Sequence, residues 1–129
     1  MKIYKNKGIY GTKKIYRLES LEDFDEYESI LLKIEDDYIR KYNPNFYEFK
    51  KDFEKYFGKI WYDKRDIVKE PDGTSTYKVY KLIALEDDHS NLDWYWIAQN
   101  LSDSKETKCI LANSNEIRLG LKKDELNNL

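Results

Sequence analysis

The chain has little of what usually announces chemistry or staples a small fold together: one cysteine, one histidine, two prolines and five glycines in 129 residues. A lone Cys109 can close no intramolecular disulfide and complete no zinc knuckle, which fits a reducing compartment. Long apolar runs are missing too. The longest, Trp94 to Ala98, falls far short of the roughly 18 residues a membrane-spanning helix needs, so no membrane role is expected. The first residues, Met1 to Lys7, are basic but lead into no apolar stretch, so they do not read as a secretory signal, and a cytoplasmic location is expected.

Catalytic and cofactor motifs are equally scarce. His89 stands in a polar turn, Glu86-Asp87-Asp88-His89-Ser90-Asn91, whose adjacent side chains do not amount to a nucleophile, base and orienter. That turn lacks the glycine and the alternating spacing of a calcium loop. Cys109 lies in an apolar strand with Lys108 on the opposite face, where it reads as a small buried hydrophobe rather than a thiolate. Gly8-Ile9-Tyr10-Gly11-Thr12-Lys13-Lys14 has the wrong spacing for a phosphate-binding loop. The Lys123-Asp124-Glu125-Leu126 string imitates a retention signal but is not terminal. No catalytic residue, metal site or cofactor is therefore expected.

What is present is charge and aromaticity. Lys and Arg number 23 against 25 Asp and Glu, for a net charge of −2, and 16% of residues are aromatic, too many for a disordered polyelectrolyte. The near balance hides blocks: residues 1 to 17 carry +6, 18 to 37 carry −8, 38 to 70 carry +3 and 71 to 129 carry −3. Nineteen lysines to four arginines, twelve isoleucines and nine asparagines to three alanines are what an AT-rich coding sequence produces, as in a low-GC bacterium or its phage.

Periodicity suggests the elements. Residues 2 to 17 alternate weakly, as a short strand or hairpin. Ser20, with Asp23 three residues on, caps a helix over 21 to 41 whose buried stripe is Phe24, Tyr27, Leu31, Ile34 and Tyr38. After Asn43-Pro44-Asn45, a second stripe runs through Phe46, Phe49, Phe53, Tyr56, Phe57 and Ile60, with Gly58 as a cap. Strands are expected over 66 to 70 and 74 to 85 around the Pro71-Asp72-Gly73 turn, then over 92 to 100, 107 to 112 and 117 to 119. The expected fold is α+β: two N-terminal amphipathic helices packed on a twisted antiparallel sheet of four or five strands, curled towards an SH3-like half-barrel. One domain over 1 to 121 and a frayed polar tail over 122 to 129 complete the expectation.

With catalysis unsupported, binding is the remaining chemistry. Glu22, Asp25, Glu26 and Glu28 form an acidic helix face suited to a partner with a basic surface. Trp61, Trp94, Tyr95 and Trp96 could anchor an interface if the sheet leaves any of them exposed. The reading is a non-enzymatic protein-protein interaction module, of the size and coding bias of a phage-encoded inhibitor or a bacterial immunity protein. A single-stranded nucleic-acid-binding β-barrel is the alternative, with aromatics and the local positive charge of Lys50, Lys51, Lys55, Lys59, Lys64 and Arg65 in favour and the net charge against.

Overall fold

A computed structural model describes residues 1–8, 11–33, 46–87, 94–112 and 114–121. The chain opens with a hairpin of β1 (Lys2–Gly8) and β2 (Gly11–Leu18), where Gly11 has a positive φ of 122°. Helix α1 (Leu21–Lys33) follows, then α2 (Phe46–Tyr56). Strands β3 (Ile60–Lys69), β4 (Ser75–Asp87), β5 (Trp94–Asn100) and β6 (Thr107–Leu111) form a meander, and the short helix α3 (Asn115–Gly120) comes last.

This overturns the expected architecture. Half of the described residues are in strand, the sheet is antiparallel throughout and has six strands, and the helices among the described residues are three short ones rather than an N-terminal pair laid on a smaller sheet. The hairpin accounts for part of the difference. Residues Lys2 to Gly8 pair with Gly11 to Arg17 along their whole length, and β2 then joins β4 through Tyr16 to Leu18, so the basic N-terminal segment is an integral part of the sheet. The order is β1-β2-β4-β5-β6, with β3 on the other half of β4, and among the described residues β1 and β6 do not pair to close a barrel.

Two further differences concern single elements. The second helix stops at Tyr56, because Gly58 takes a positive φ of 77° and donates its N–H to Leu82 O at 2.8 Å while Leu82 N–H donates to Lys59 O. Ile60 and Trp61 thus begin a strand instead of extending the helical stripe. At the other end, the expected strand over 117 to 119 is helix α3, which buries Ile117. Ile34 and Tyr38, the Asn43-Pro44-Asn45 break, His89 and the 122 to 129 tail lie outside the described residues.

Helix α1 starts as its sequence suggests: Ser20 Oγ accepts the Asp23 N–H at 3.2 Å, and Asp23 Oδ2 accepts the Glu19 N–H at 2.7 Å. Its Phe24 and Tyr27 are fully buried. The core is aromatic. Trp94 stacks on Phe49 with centroids 4.8 Å apart and on Phe24 at 6.0 Å, while Trp96 lies parallel to Phe53 at 5.9 Å. The helix-bearing face of the sheet is therefore the one that carries Trp94, Trp96, Ala98 and Asn100.

On β4 that face switches parity. Pairing runs Leu82 with Ala98 and then Ala84 with Ile97, so Ile83 is bulged out and the inner face reads Tyr80, Leu82, Leu85, Asp87. A second irregularity in β3 puts three residues, Lys64 to Asp66, between the pairs Asp63 with Lys78 and Ile67 with Tyr77.

Candidate functional site

The expected binding residues divide between core and surface. Trp94 and Trp96 are buried against α1 and α2, where they offer a partner no surface. Trp61 is also buried, on the same sheet face, and donates its indole N–H to Glu116 O at 2.9 Å. Tyr95 is partly buried on the opposite face.

The acidic helix face is real but largely engaged within the chain. Asp25 pairs with Lys50 at 3.3 Å, Glu26 with the α-ammonium of Met1 at 3.1 Å, and Glu28 accepts the Tyr47 hydroxyl at 2.6 Å. Glu22 is exposed and has no ion-pair partner among the described residues. Of the four, then, one carboxylate is unpaired among the described residues, and a ridge built mainly of internally paired acids steers a partner weakly.

A polar network that the sequence does not suggest sits on the helix-bearing face, beyond the aromatic core. Glu106 is its hub: Oε1 accepts the Tyr80 hydroxyl at 2.8 Å and lies 3.3 Å from Lys78 Nζ, and Oε2 accepts from Asn100 Nδ2 at 2.9 Å. Buried Asp63 pairs with Lys108, and Asp66 pairs with Lys78 at 3.2 Å. The Tyr80 hydroxyl, the Asn100 amide and Lys78 hold the Glu106 carboxyl below the usual carboxylate range. Burial, then the Glu106 carboxylate, push the Tyr80 phenol far up, and Asp66 and Glu106 raise Lys78. Each carboxylate in the network lies against a lysine, Lys78 being shared by Asp66 and Glu106, and each shift favours the form already present at neutral pH. Such a cluster holds four strands in register and offers no group poised to give or take a proton.

Metal and thiol chemistry gain no support. Among the described residues no group of three or more His, Cys, Asp or Glu side chains is arranged to hold a metal. Cys109 is exposed on the outer face, not buried as expected, because its strand β6 presents Ile110 to the core. Partial desolvation by the surrounding strands and then Glu86 hold its thiol above the ordinary value, which leaves little thiolate.

The surface best suited to binding is the outer face of the β3–β4 arm. Ile67 pairs directly with Tyr77, Tyr62 pairs with Val79, and Leu101 N–H donates to Val79 O at 3.0 Å, so five apolar or aromatic side chains adjoin on one face. Ile67 is 56% exposed, Tyr77 42% and Leu101 55%. Alternation along β4 puts Lys81 on the same face, and the Lys69 pair with Ser75 puts another lysine at the far end; both are exposed.

Beside this strip is a cleft of about 190 Å³ between β3 and α3, lined by Trp61, Tyr62, Lys64, Arg65, Leu119 and Gly120 among others. Gly120 makes it possible. A Cβ at that position would stand 2.0 Å from Trp61 Nε1, so only glycine lets the helix close onto the indole. The isolated bridge between Trp61 and Leu121 ties the chain after α3 to the start of β3.

Sequence reasoning misses both strip and cleft, because the register irregularity at Lys64 to Asp66 sets Ile67 against Tyr77, and α3 reaches Trp61 from far along the chain. The one signal is the set of apolar residues at positions 77, 79 and 101, beside turns. No protein-family model, curated protein or solved structure matches this chain, so its functional reading rests on its own geometry.

Proposed function

We propose that the chain is a non-enzymatic protein-binding module of the inhibitor or immunity type, acting in the cytoplasm and docking its partner on the outer face of the β3–β4 arm. The single observation that carries this reading is the contiguous strip of Tyr62, Ile67, Tyr77, Val79 and Leu101, with Ile67, Tyr77 and Leu101 exposed and Tyr62 and Val79 half-buried, in a chain that is 37% charged. Contiguous apolar surface of this kind carries a standing solubility cost and marks interaction sites far more often than scattered exposed residues do. Tyrosine beside aliphatic side chains is also a favoured composition for interface centres. The acidic face of α1, where Glu22 has no ion-pair partner among the described residues, adds long-range steering rather than the contact itself. No helix among the described residues is long and apolar enough to cross a membrane.

The test compares retention of a partner by the wild-type chain, by Ile67→Glu/Tyr77→Glu, and by the α1 charge reversal at Glu22, Asp25, Glu26 and Glu28. Loss in the strip variant with retention in the α1 variant is expected. The reverse pattern would return the interface to the helix. A second reading, single-stranded nucleic acid, is favoured by Tyr62 and Tyr77 lying between Lys69 and Lys81 on that same face. Anisotropy titration with mixed-sequence oligonucleotides decides it, since salt-sensitive binding lost in Tyr77→Ala supports it and no binding removes it.

A further inference from the structure

We propose that the cleft between β3 and α3 is the anchor socket of the docking surface, taking one bulky aliphatic side chain of the partner that has a carboxylate beside it. This rests on the protein-binding reading and adds the partner's chemistry to it. Size comes first: about 190 Å³ is below the roughly 300–1,000 Å³ of pockets for whole small molecules and matches a single side chain. The floor is apolar. Trp61 has already donated its indole N–H to Glu116 O, so it offers an entering group only ring carbons, and Leu119, 65% exposed on the last turn of α3, supplies an aliphatic wall. Gly120 contributes bare backbone to the wall, where it packs directly against the Trp61 indole.

The mouth selects charge. Arg65 is paired with Glu116, and Asp63 is buried against Lys108, so these charges cancel locally. Lys64 is exposed at the rim and has no ion-pair partner among the described residues. Among the described residues the uncompensated charge at the opening is therefore positive, and an acidic neighbour to the inserted side chain satisfies it. Tyr62 lines the cleft and also pairs with Val79 in the outer strip, which makes socket and strip one continuous surface. An aliphatic anchor seated in a water-excluding pocket with a polar rim is the usual construction of an interface hot spot.

The experiment titrates the ¹⁵N-labelled full chain with three peptides, acetyl-Glu-Leu-Glu-amide, acetyl-Glu-Gly-Glu-amide and acetyl-Lys-Leu-Lys-amide, reading the assigned Trp61 indole N–H signal. A saturable shift with the first peptide is expected, with a Kd on the order of 1 mM, and at least about tenfold weaker responses to the other two. Lys64→Glu should reverse the preference between the acidic and basic leucine peptides. No saturable shift, or an equal response to the glycine peptide, overturns the socket. So does a Trp61 shift of the same size caused by Asp124→Lys/Glu125→Lys in the full chain without peptide, which would assign the cleft to the chain's own C-terminal residues. If partner retention depends on Ile67 and Tyr77 while the peptides leave Trp61 unmoved, the socket alone fails. If the peptides bind but retention ignores the strip, the socket loses its assignment to a docking partner.

Discussion

The Tyr27 hydroxyl donates to Asp87 Oδ2 at 2.5 Å across sixty residues of sequence, tying helix α1 to the end of the longest strand inside a core where both side chains are fully buried. Tyr16 stacks on Tyr27 at 4.7 Å, and burial followed by the Asp87 carboxylate raises the Tyr16 phenol above its ordinary value. An acid placed this deep is tolerable because it is hydrogen-bonded, the Tyr27 hydroxyl being one donor. Tyr27→Phe removes that donor and should destabilise the fold by about 1–3 kcal/mol. A lower urea midpoint with an unchanged denaturant slope is the expected signature. An unchanged midpoint would mean that the contact contributes nothing net.

Gly120 should be intolerant of even one methyl group. Its helix end lies so close to Trp61 that Gly120→Ala forces the indole or α3 to move, and overpacking of this kind costs about 1–3 kcal/mol. The expected outcome is a destabilised chain with a shifted Trp61 indole signal in NMR. Because Gly120 is not at positive φ, the effect is one of space, and Gly120→Ser should behave like the alanine variant.

The Glu106 network sets a pH window. Glu106 has a folded pKa below its ordinary 4.5, so its contribution is present above 4.5 and is lost as pH falls through the lower folded value. Lys78 is raised above 10.5, so its contribution is complete below 10.5 and is lost as pH rises through the higher folded value. Glu106→Gln should therefore be less stable than wild type at neutral pH, with the gap closing in acid as wild-type Glu106 takes up a proton. Urea midpoints for both chains across the acid range check this, and a gap that stays constant into acid would contradict it.

The parts of the fold that are legible in the sequence are local. The Ser20 cap, the Phe24 and Tyr27 stripe, and the turn at Pro71-Asp72-Gly73, where Gly73 takes a φ of 87°, follow from local rules that tertiary contacts have no need to override. Alternation groups Trp94, Trp96 and Ala98 on one face, as the sheet has them, yet it cannot say which face a helix will cover. The features that escape sequence reasoning are non-local. Simple alternation puts Leu82 and Ala84 on one side of β4, whereas the Ile83 bulge swaps Ala84 for Leu85. The residues inserted at Lys64 to Asp66 likewise decide that Ile67 meets Tyr77, and without that register no apolar strip can be inferred. The short α3 reads as a strand because Ile117 and Leu119 alternate, and its helical form is stabilised by contacts to Trp61 from far along the chain.

Exposure of the strip also predicts a solution property. Ile67→Lys/Leu101→Lys replaces two exposed apolar side chains without touching the core, so stability should change by no more than about 0.5 kcal/mol while solubility rises. Thermal unfolding and concentration-dependent light scattering would show this. A large loss of stability would mean that the strip is covered by the chain itself.

The most direct test places a photo-crosslinking side chain at position 67 in one chain and at position 22 in another, and identifies what each captures under conditions where the wild-type chain retains a partner. A protein-docking role for the β3–β4 face predicts one and the same partner, captured strongly from position 67 and weakly or not at all from position 22. Capture from position 22 with none from position 67 would contradict it and move the interface to the acidic helix.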